Sequence, residues 1–241
     1  MGRVEYKEYP EKLDEKNWEC NCFPNKGHTN PFNDPAHASK LKMVKIDSWK
    51  NEQAEISKHF QGISAVISCL GHRQPGWKYP ELIQRGLVAY DGNKQVVKAM
   101  EKANVNRAVV ISSFGLRTDS KNAWPHWTST FLACLFNTFM RKARNDLEAM
   151  EKLYQSSPLD YLIVRPVGIG EDKVPVGEYY LQEDPKSSKE KVDVIGGNMA
   201  KMDVAMFMVD EALSPRFHRN CKVVGSKPDS PMQMQQKKLR N

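Results

Sequence analysis

Glycine is scarce where it would matter most: before Gly62 the chain has only Gly2 and Gly27. A glycine-rich turn, whose successive backbone N–H groups close round a phosphate at a helix start, cannot be built from those two. Long apolar runs are also missing. The greasiest stretch, "TSTFLACLFNTFM" from Thr128 to Met140, falls well short of the roughly 20 residues that cross a bilayer, so a buried helix is expected there and no membrane span. The opening "MGRVEYKEYPEKLDEK" has no apolar centre and is rich in acids. It therefore reads as neither signal peptide nor presequence, and Tyr6 stands where a myristoylation signal requires Ser or Thr. Cysteine is sparse, odd in number and scattered, with five residues at Cys20, Cys22, Cys69, Cys134 and Cys221. That excludes a disulfide framework and points to a reducing compartment, the cytoplasm. An excess of acid is absent too. The formal charge is +7, part of it in the last stretch "QMQQKKLRN", so a basic tail explains part of the balance and no nucleic-acid partner is expected.

What the chain does have is a repeating alternation. At 241 residues with 40% hydrophobic composition, and with no Pro/Gly/Ser-rich linker, it suits one domain. Residues 1–40 read as an irregular N-terminal arm, 41–225 as the domain and 226–241 as a flexible basic tail. From Leu41, "LKMVKID" alternates as a strand, Ile56 and Phe60 lie four apart as on a short helix, and "ISAVISCLG" is an apolar strand. The unit repeats. Val96, Val97, Met100 and Ala103 stripe a helix, "NVNR" turns, and Ala108 to Ile111 is a buried strand. Leu147, Met150 and Tyr154 stripe the next helix, ahead of a strand from Tyr161 to Val164 that Pro166 stops. Last, Asp203 is placed to cap a helix carrying Val204, Phe207 and Met208 inward, followed by the strand "CKVVG". This predicts an α/β, Rossmann-like, doubly wound parallel sheet with ligands at the C-terminal ends of its strands. Leu41–Asp47, Ala65–Leu70, Ala108–Ser112 and Asp160–Val164 are expected as its parallel members.

Two of these strands run from β-branched residues into small polar ones, "AVISCLG" and "AVVISSFGL". Small hydroxyls at a strand end can hydrogen-bond a substrate oxygen or a carboxamide without blocking a flat ring. The alternative is that Ser112 and Ser113 cap the turn that follows.

The segments "KIDSWKNEQAEISKHFQGISAVISCLG", "GNKQVVKAMEKANVNRAVVISSFGL", "KARNDLEAMEKLYQSSPLDYLIVRP" and "MAKMDVAMFMVDEAL" resemble, in that order, the atypical short-chain dehydrogenase/reductases with a NAD(P)-binding Rossmann fold. Within them "RPVGIGEDKVPVGEYY" is most similar to the biliverdin reductase B (flavin reductase) branch. The resemblance runs from about Leu41 to Gly225. It implies a NADP or NAD nucleotide across the strand ends, with Asp47 near the adenine and Ser68, Cys69, Leu70 and Gly71 lining the crevice. It further implies Ser112 and Ser113 beside the nicotinamide, and Pro166, Val167, Gly168 and Ile169 closing the site. Lys142 aligns with the family's helix lysine, either as a ribose contact or as a solvated lysine. The implied activity is reduction of flavins, tetrapyrroles or quinone-like compounds, with Ser113 and Lys142 as catalytic candidates.

The sequence departs from the family in two places. The opening strand and glycine-rich turn are missing, and with them the pyrophosphate anchor. In a sheet ordered 3-2-1-4-5-6 that first strand lies in the middle. The edge of Ala65–Leu70 must then be covered by the N-terminal "RVEYKEY", by another subunit, or not at all in a shortened form of a longer parent. The second departure is catalytic. The Tyr-x-x-x-Lys pair is unfilled, since Thr138 stands four residues before Lys142, and the one such spacing, Tyr90 to Lys94, precedes the "SS" strand. The biliverdin reductase B branch also works without that tyrosine, through hydride geometry and solvent protons, and has a histidine where this chain has Gly168.

Other candidates carry less. Arg73, after His72, is either a phosphate contact from a new direction or a solvated loop residue. Trp124, Trp127, Phe131, Phe136 and Phe139 suit an apolar lid over a flat aromatic substrate, or core, or a subunit interface. Cys20, Cys22, His28 and His37 match no common zinc spacing, so no metal is expected. A different class of function stays open beside the reductase: a non-catalytic Rossmann-like subunit or nucleotide sensor that has lost its phosphate loop.

Overall fold

The structure is a computed structural model and describes residues 3–5, 20–22, 41–43, 53–71, 89–114, 116, 141–170, 176–182, 195–196 and 199–227. Its strands are β1 (Arg3–Glu5), β2 (Cys20–Cys22), β3 (Leu41–Met43), β4 (Ala65–Ser68), β5 (Arg107–Ile111), β6 (Asp160–Pro166), β7 (Ile169–Gly170), β8 (Glu178–Leu181), β9 (Met199–Ala200) and β10 (Asn220–Gly225). The helices are α1 (Gln53–Lys58), α2 (Ala89–Ala103), α3 (Arg141–Ser156) and α4 (Lys201–Leu213).

Six strands form the main sheet in the order β1-β8-β10-β6-β5-β4. The run β10-β6-β5-β4 is parallel throughout, whereas β8 pairs antiparallel with β10 and β1 antiparallel with β8. Helices cover both faces, and the side-chain alternation of the strands says which. Ala108 and Val110 of β5 with Tyr161 and Ile163 of β6 pack under Val96, Met100, Met150 and Tyr154 from α2 and α3. Their neighbours in sequence, Val109, Leu162 and Val164, pack instead against Val204, Phe207 and Met208 of α4. With both faces covered, β5 and β6 must be apolar at nearly every position, and they are. The doubly wound α/β reading therefore holds, and so do the predicted stripes. Asn104 adopts φ +57° just past α2, and the Val105 N–H reaches back to the Met100 carbonyl at 2.9 Å, the left-handed helix stop that "NVNR" allows.

Three expectations are corrected. Leu41–Met43 does not join the main sheet; it pairs in parallel with Cys20–Cys22 in a separate two-stranded sheet. No strand among the described residues lies on the outer edge of β4 to connect the two, so the pair stays apart. The described residues of 1–40 are two three-residue strands, β1 and β2. The "RVEYKEY" segment does patch the sheet, but at the far side: Arg3–Glu5 pairs with Glu178–Tyr180, because β8 presents the opposite edge of the sheet. Finally, Asp203 does not cap α4. That helix starts two residues earlier, with Ala200 as an N-cap that makes no side-chain bond. The buried Asp203 carboxylate instead accepts the Val176 and Gly177 N–H groups at 3.0–3.2 Å and holds the turn into β8.

The edge of β4 that no described strand covers leaves a trace in the packing. Ile67 lies level with Val109, which is fully buried on the α4 face, yet Ile67 is 40% exposed.

The opposite ends of the strands carry a charge cluster. Asp160 accepts Arg107 Nη1 at 3.1 Å and the Arg219 N–H at 3.2 Å, and lies 2.9 Å from His218 Nδ1. Partial burial pushes the Asp160 carboxyl up, but the His218 hydrogen bond and the Arg107 charge outweigh it, and the net effect is a lowered value. A carboxyl lowered on folding stabilises the fold above its ordinary value of about 3.9 and loses that contribution as pH falls through the lower folded value. The urea midpoint is therefore expected to be flat above about pH 5 and to fall below about pH 4. Asp160→Asn should shallow that acid limb; an unchanged limb would count against the assignment.

Candidate functional site

Because β4, β5 and β6 run parallel, their C-terminal ends emerge on one side of the sheet, and three of the sequence-predicted site segments meet there. The segment after β5 continues the ladder. Ser112 N–H donates to the Val164 carbonyl at 2.7 Å and Phe114 N–H to the Pro166 carbonyl at 3.3 Å, so Ser112 and Ser113 stand beside the end of β6. The 166–169 segment is in turn tied down. Val167 N–H donates to Val224, Gly168 accepts from Met199 N–H, both at 2.9 Å, and Ile169–Gly170 pairs with Met199–Ala200. Pro166 is buried, Val167 and Gly168 are half-buried, and Ile169 is exposed at the outer end.

The serines differ in what their hydroxyls do. Ser68 is buried and turned inward: its Oγ donates to Asn93 Oδ1 at 2.6 Å, which also accepts the Tyr154 hydroxyl at 2.8 Å, while Asn93 Nδ2 donates to the Ala89 carbonyl. Burial pushes the Tyr154 phenol well above its ordinary range, keeping it a neutral donor in this network. Ser68 thus ties β4 to α2 and α3; of its neighbours, Cys69 is exposed, Gly71 is half-buried, and the half-buried Leu70 packs against the α2–α3 core. The Ser112 hydroxyl donates to Glu151 Oε1 at 2.6 Å. Glu151 is fully buried on α3 and pairs with the equally buried Arg165 of β6 through Nε at 2.9 Å and Nη2 at 2.6 Å. Ser113, half-buried, makes a long 3.3 Å contact to the carbonyl of Phe114, a geometry its hydroxyl can leave by rotation.

Lys142 is exposed on the first turn of α3. It precedes Glu151, the residue level with the serines, by nine positions, which is about 13 Å along the helix axis. Asp146, one turn below Lys142, accepts the Ala89 and Tyr90 N–H groups at 3.0 and 3.2 Å. It caps α2 from the neighbouring helix, so a carboxylate already occupies that helix N-terminus. Asp47, His72, Arg73, Thr138, the Trp124–Phe139 aromatic cluster, His28 and His37 lie outside the described residues.

The polar core of the site, Glu151, Arg165 and Asn93, was not singled out in the sequence. A signal was present. Glu151 shares the apolar stripe of Leu147 and Tyr154, and Arg165 interrupts the apolar strand "YLIVRP". An acid and a base at two such positions satisfy each other's burial.

The arrangement defines a class: a Rossmann-like α/β protein with two half-buried serines at the adjoining ends of its central parallel strands. The chain belongs to the NAD(P)H-binding family, whose model matches residues 28–215. No curated protein matches its sequence. Among solved structures it is similar to the oxidoreductase ylbE from Lactococcus lactis (18% identity, 84% of this chain and 79% of that one, TM-score 0.54). ChuY, an anaerobilin reductase from Escherichia coli O157:H7, is comparable (18% identity, 81% of each chain, TM-score 0.54). So is a short-chain dehydrogenase/reductase from Veillonella parvula solved in complex with NADP (16% identity, 79% of this chain and 77% of that one, TM-score 0.53). At these identities the likeness is one of fold. Among the described residues no helix is long and apolar enough to cross a membrane.

Proposed function

We propose that the protein is an NAD(P)H-dependent oxidoreductase of the atypical short-chain dehydrogenase/reductase kind, acting on flat aromatic acceptors: flavins, tetrapyrroles or quinone-like compounds. The observation that carries this is the serine pair at the adjoining ends of β5 and β6, in a chain of the NAD(P)H-binding family. The nicotinamide half of the cofactor fits these residues. They are small, partly open and polar, and the tied 166–169 segment closes one side. Reduced nicotinamide supplies a hydride when bound, and solvent supplies the proton that a family tyrosine would otherwise give.

In this reading Ser113 orients the reacting ring or the acceptor oxygen through its rotatable hydroxyl. Cys69, Leu70 and Gly71 line the adenosine side of the crevice, and Val167, Gly168 and Ile169 line the nicotinamide side. Ser68 and Pro166 act from beneath, Asp47 near the adenine, Arg73 toward the phosphates and Lys142 toward the ribose. ChuY, which shares the fold, is named as an anaerobilin reductase, which supports a reductase reading here. The choice between NADP and NAD falls to residues outside this half of the site.

The outer edge of β4, on which no strand lies among the described residues, favours a second reading, a non-catalytic Rossmann-like subunit or nucleotide sensor in which another subunit covers that edge. Assaying oxidation of NADPH and NADH with flavin mononucleotide, biliverdin and a soluble quinone separates the two. Turnover with at least one acceptor is expected, and none with any of them would favour the sensor.

A further inference from the structure

Ser112 differs from Ser113 in its hydrogen-bond polarity. Its backbone N–H is committed to the Val164 carbonyl at 2.7 Å. Its one hydroxyl hydrogen is committed as well, because the partner at 2.6 Å is a carboxylate oxygen of Glu151, and a carboxylate offers acceptors alone. Glu151 cannot turn away to release it. Both of its oxygens are engaged, Oε1 by Ser112 and Arg165 Nε and Oε2 by Arg165 Nη2, and both side chains of the ion pair are essentially without solvent contact. Yet Ser112 itself is half-buried, at the end of β5 where the crevice opens. What remains to it there is the lone-pair side of its oxygen, aimed away from Glu151.

We propose that Ser112 is a specificity-determining acceptor, set by Glu151 and Arg165 to receive an N–H donor of the bound nucleotide, and that this donor is the amino group of the nicotinamide carboxamide. The inference rests on the reading of the crevice as a nicotinamide site and adds to it a division of labour. Ser112 takes a donor and rejects an oxygen, while Ser113, whose hydroxyl is free to rotate, serves an oxygen of the carboxamide or the acceptor. An oxygen brought to Ser112 would meet lone pairs with no hydrogen between them.

The test compares binding of NADPH with that of its reduced 3-acetylpyridine analogue, in which a methyl ketone replaces the carboxamide and no N–H remains. One neutral hydrogen bond predicts that the unmutated protein binds NADPH roughly three- to tenfold more tightly than the analogue. Ser112→Ala removes the acceptor and leaves the Glu151–Arg165 pair in place, so it should bring the two dissociation constants together, with a lowered melting temperature because the buried carboxylate loses one hydrogen bond. Ser113→Ala should retain the discrimination. Equal affinities of the unmutated protein for both nucleotides, or a preference that survives Ser112→Ala, overturn the inference and leave the nicotinamide site standing. Binding of neither nucleotide overturns the site reading and this inference with it.

Discussion

Replacing Glu151 by Ala is expected to destabilise the fold by about 3–5 kcal/mol, the cost of taking one partner out of a buried ion pair. The carboxylate has no exposed surface and Arg165 has 1%, so bulk water does not take the place of the lost carboxylate. Domains of this size are stable by about 5–15 kcal/mol in total. Glu151→Ala should therefore unfold at a much lower urea concentration and be partly unfolded at 37 °C. The charge and the geometry can be separated. Glu151→Leu combined with Arg165→Met replaces the pair by apolar groups of similar volume, and should recover most of the loss. A single Glu151→Ala variant within about 1 kcal/mol of the parent would show that the pair is solvated and that Ser112 is not held as described.

The second large effect concerns rate. Ser113 stands between the ladder bonds that Ser112 and Phe114 make to β6, with its hydroxyl only loosely engaged. In the proposed reaction that hydroxyl orients the reacting groups, and a misplacement of about 1 Å can cost on the order of a hundredfold in turnover. Ser113→Ala should lower kcat with an active acceptor by about that factor. Its melting temperature should change little, because the side chain is small and closes no core contact. A variant indistinguishable from the parent in turnover would move the reacting centre away from Ser113 even if the parent is an active enzyme.

The strands and helices were legible wherever one periodicity dominated. The stripe of Val96, Val97 and Met100 and the apolar runs of β5 and β6 fix buried faces by spacing alone, and the parallel sheet follows from their alternation. Asp203 was legible only in part. Its residue type suits a cap, but whether it caps its own helix depends on where α4 starts, and helix starts are set to within a residue or two by the chain packed against them. The fate of "RVEYKEY" was not legible at all. A short alternating segment fits either free edge of a sheet, and the choice of β8 over β4 is made by tertiary pairing. At the site, the serines announced themselves by type and position. Their unequal roles did not, because these depend on Glu151 and Arg165 being brought together from α3 and β6.

The central claim is that the crevice at the ends of β4, β5 and β6 binds a nicotinamide nucleotide through its nicotinamide half, without a glycine-rich pyrophosphate anchor before Gly62. Titrating the purified chain with NADPH and with NADH, followed by nicotinamide fluorescence, tests it directly. Each charge-assisted bond lost from the pyrophosphate is worth about 1.5–3 kcal/mol, so saturable binding is expected with a dissociation constant in the range of tens of micromolar or weaker. The absence of saturable binding to either nucleotide would contradict the account.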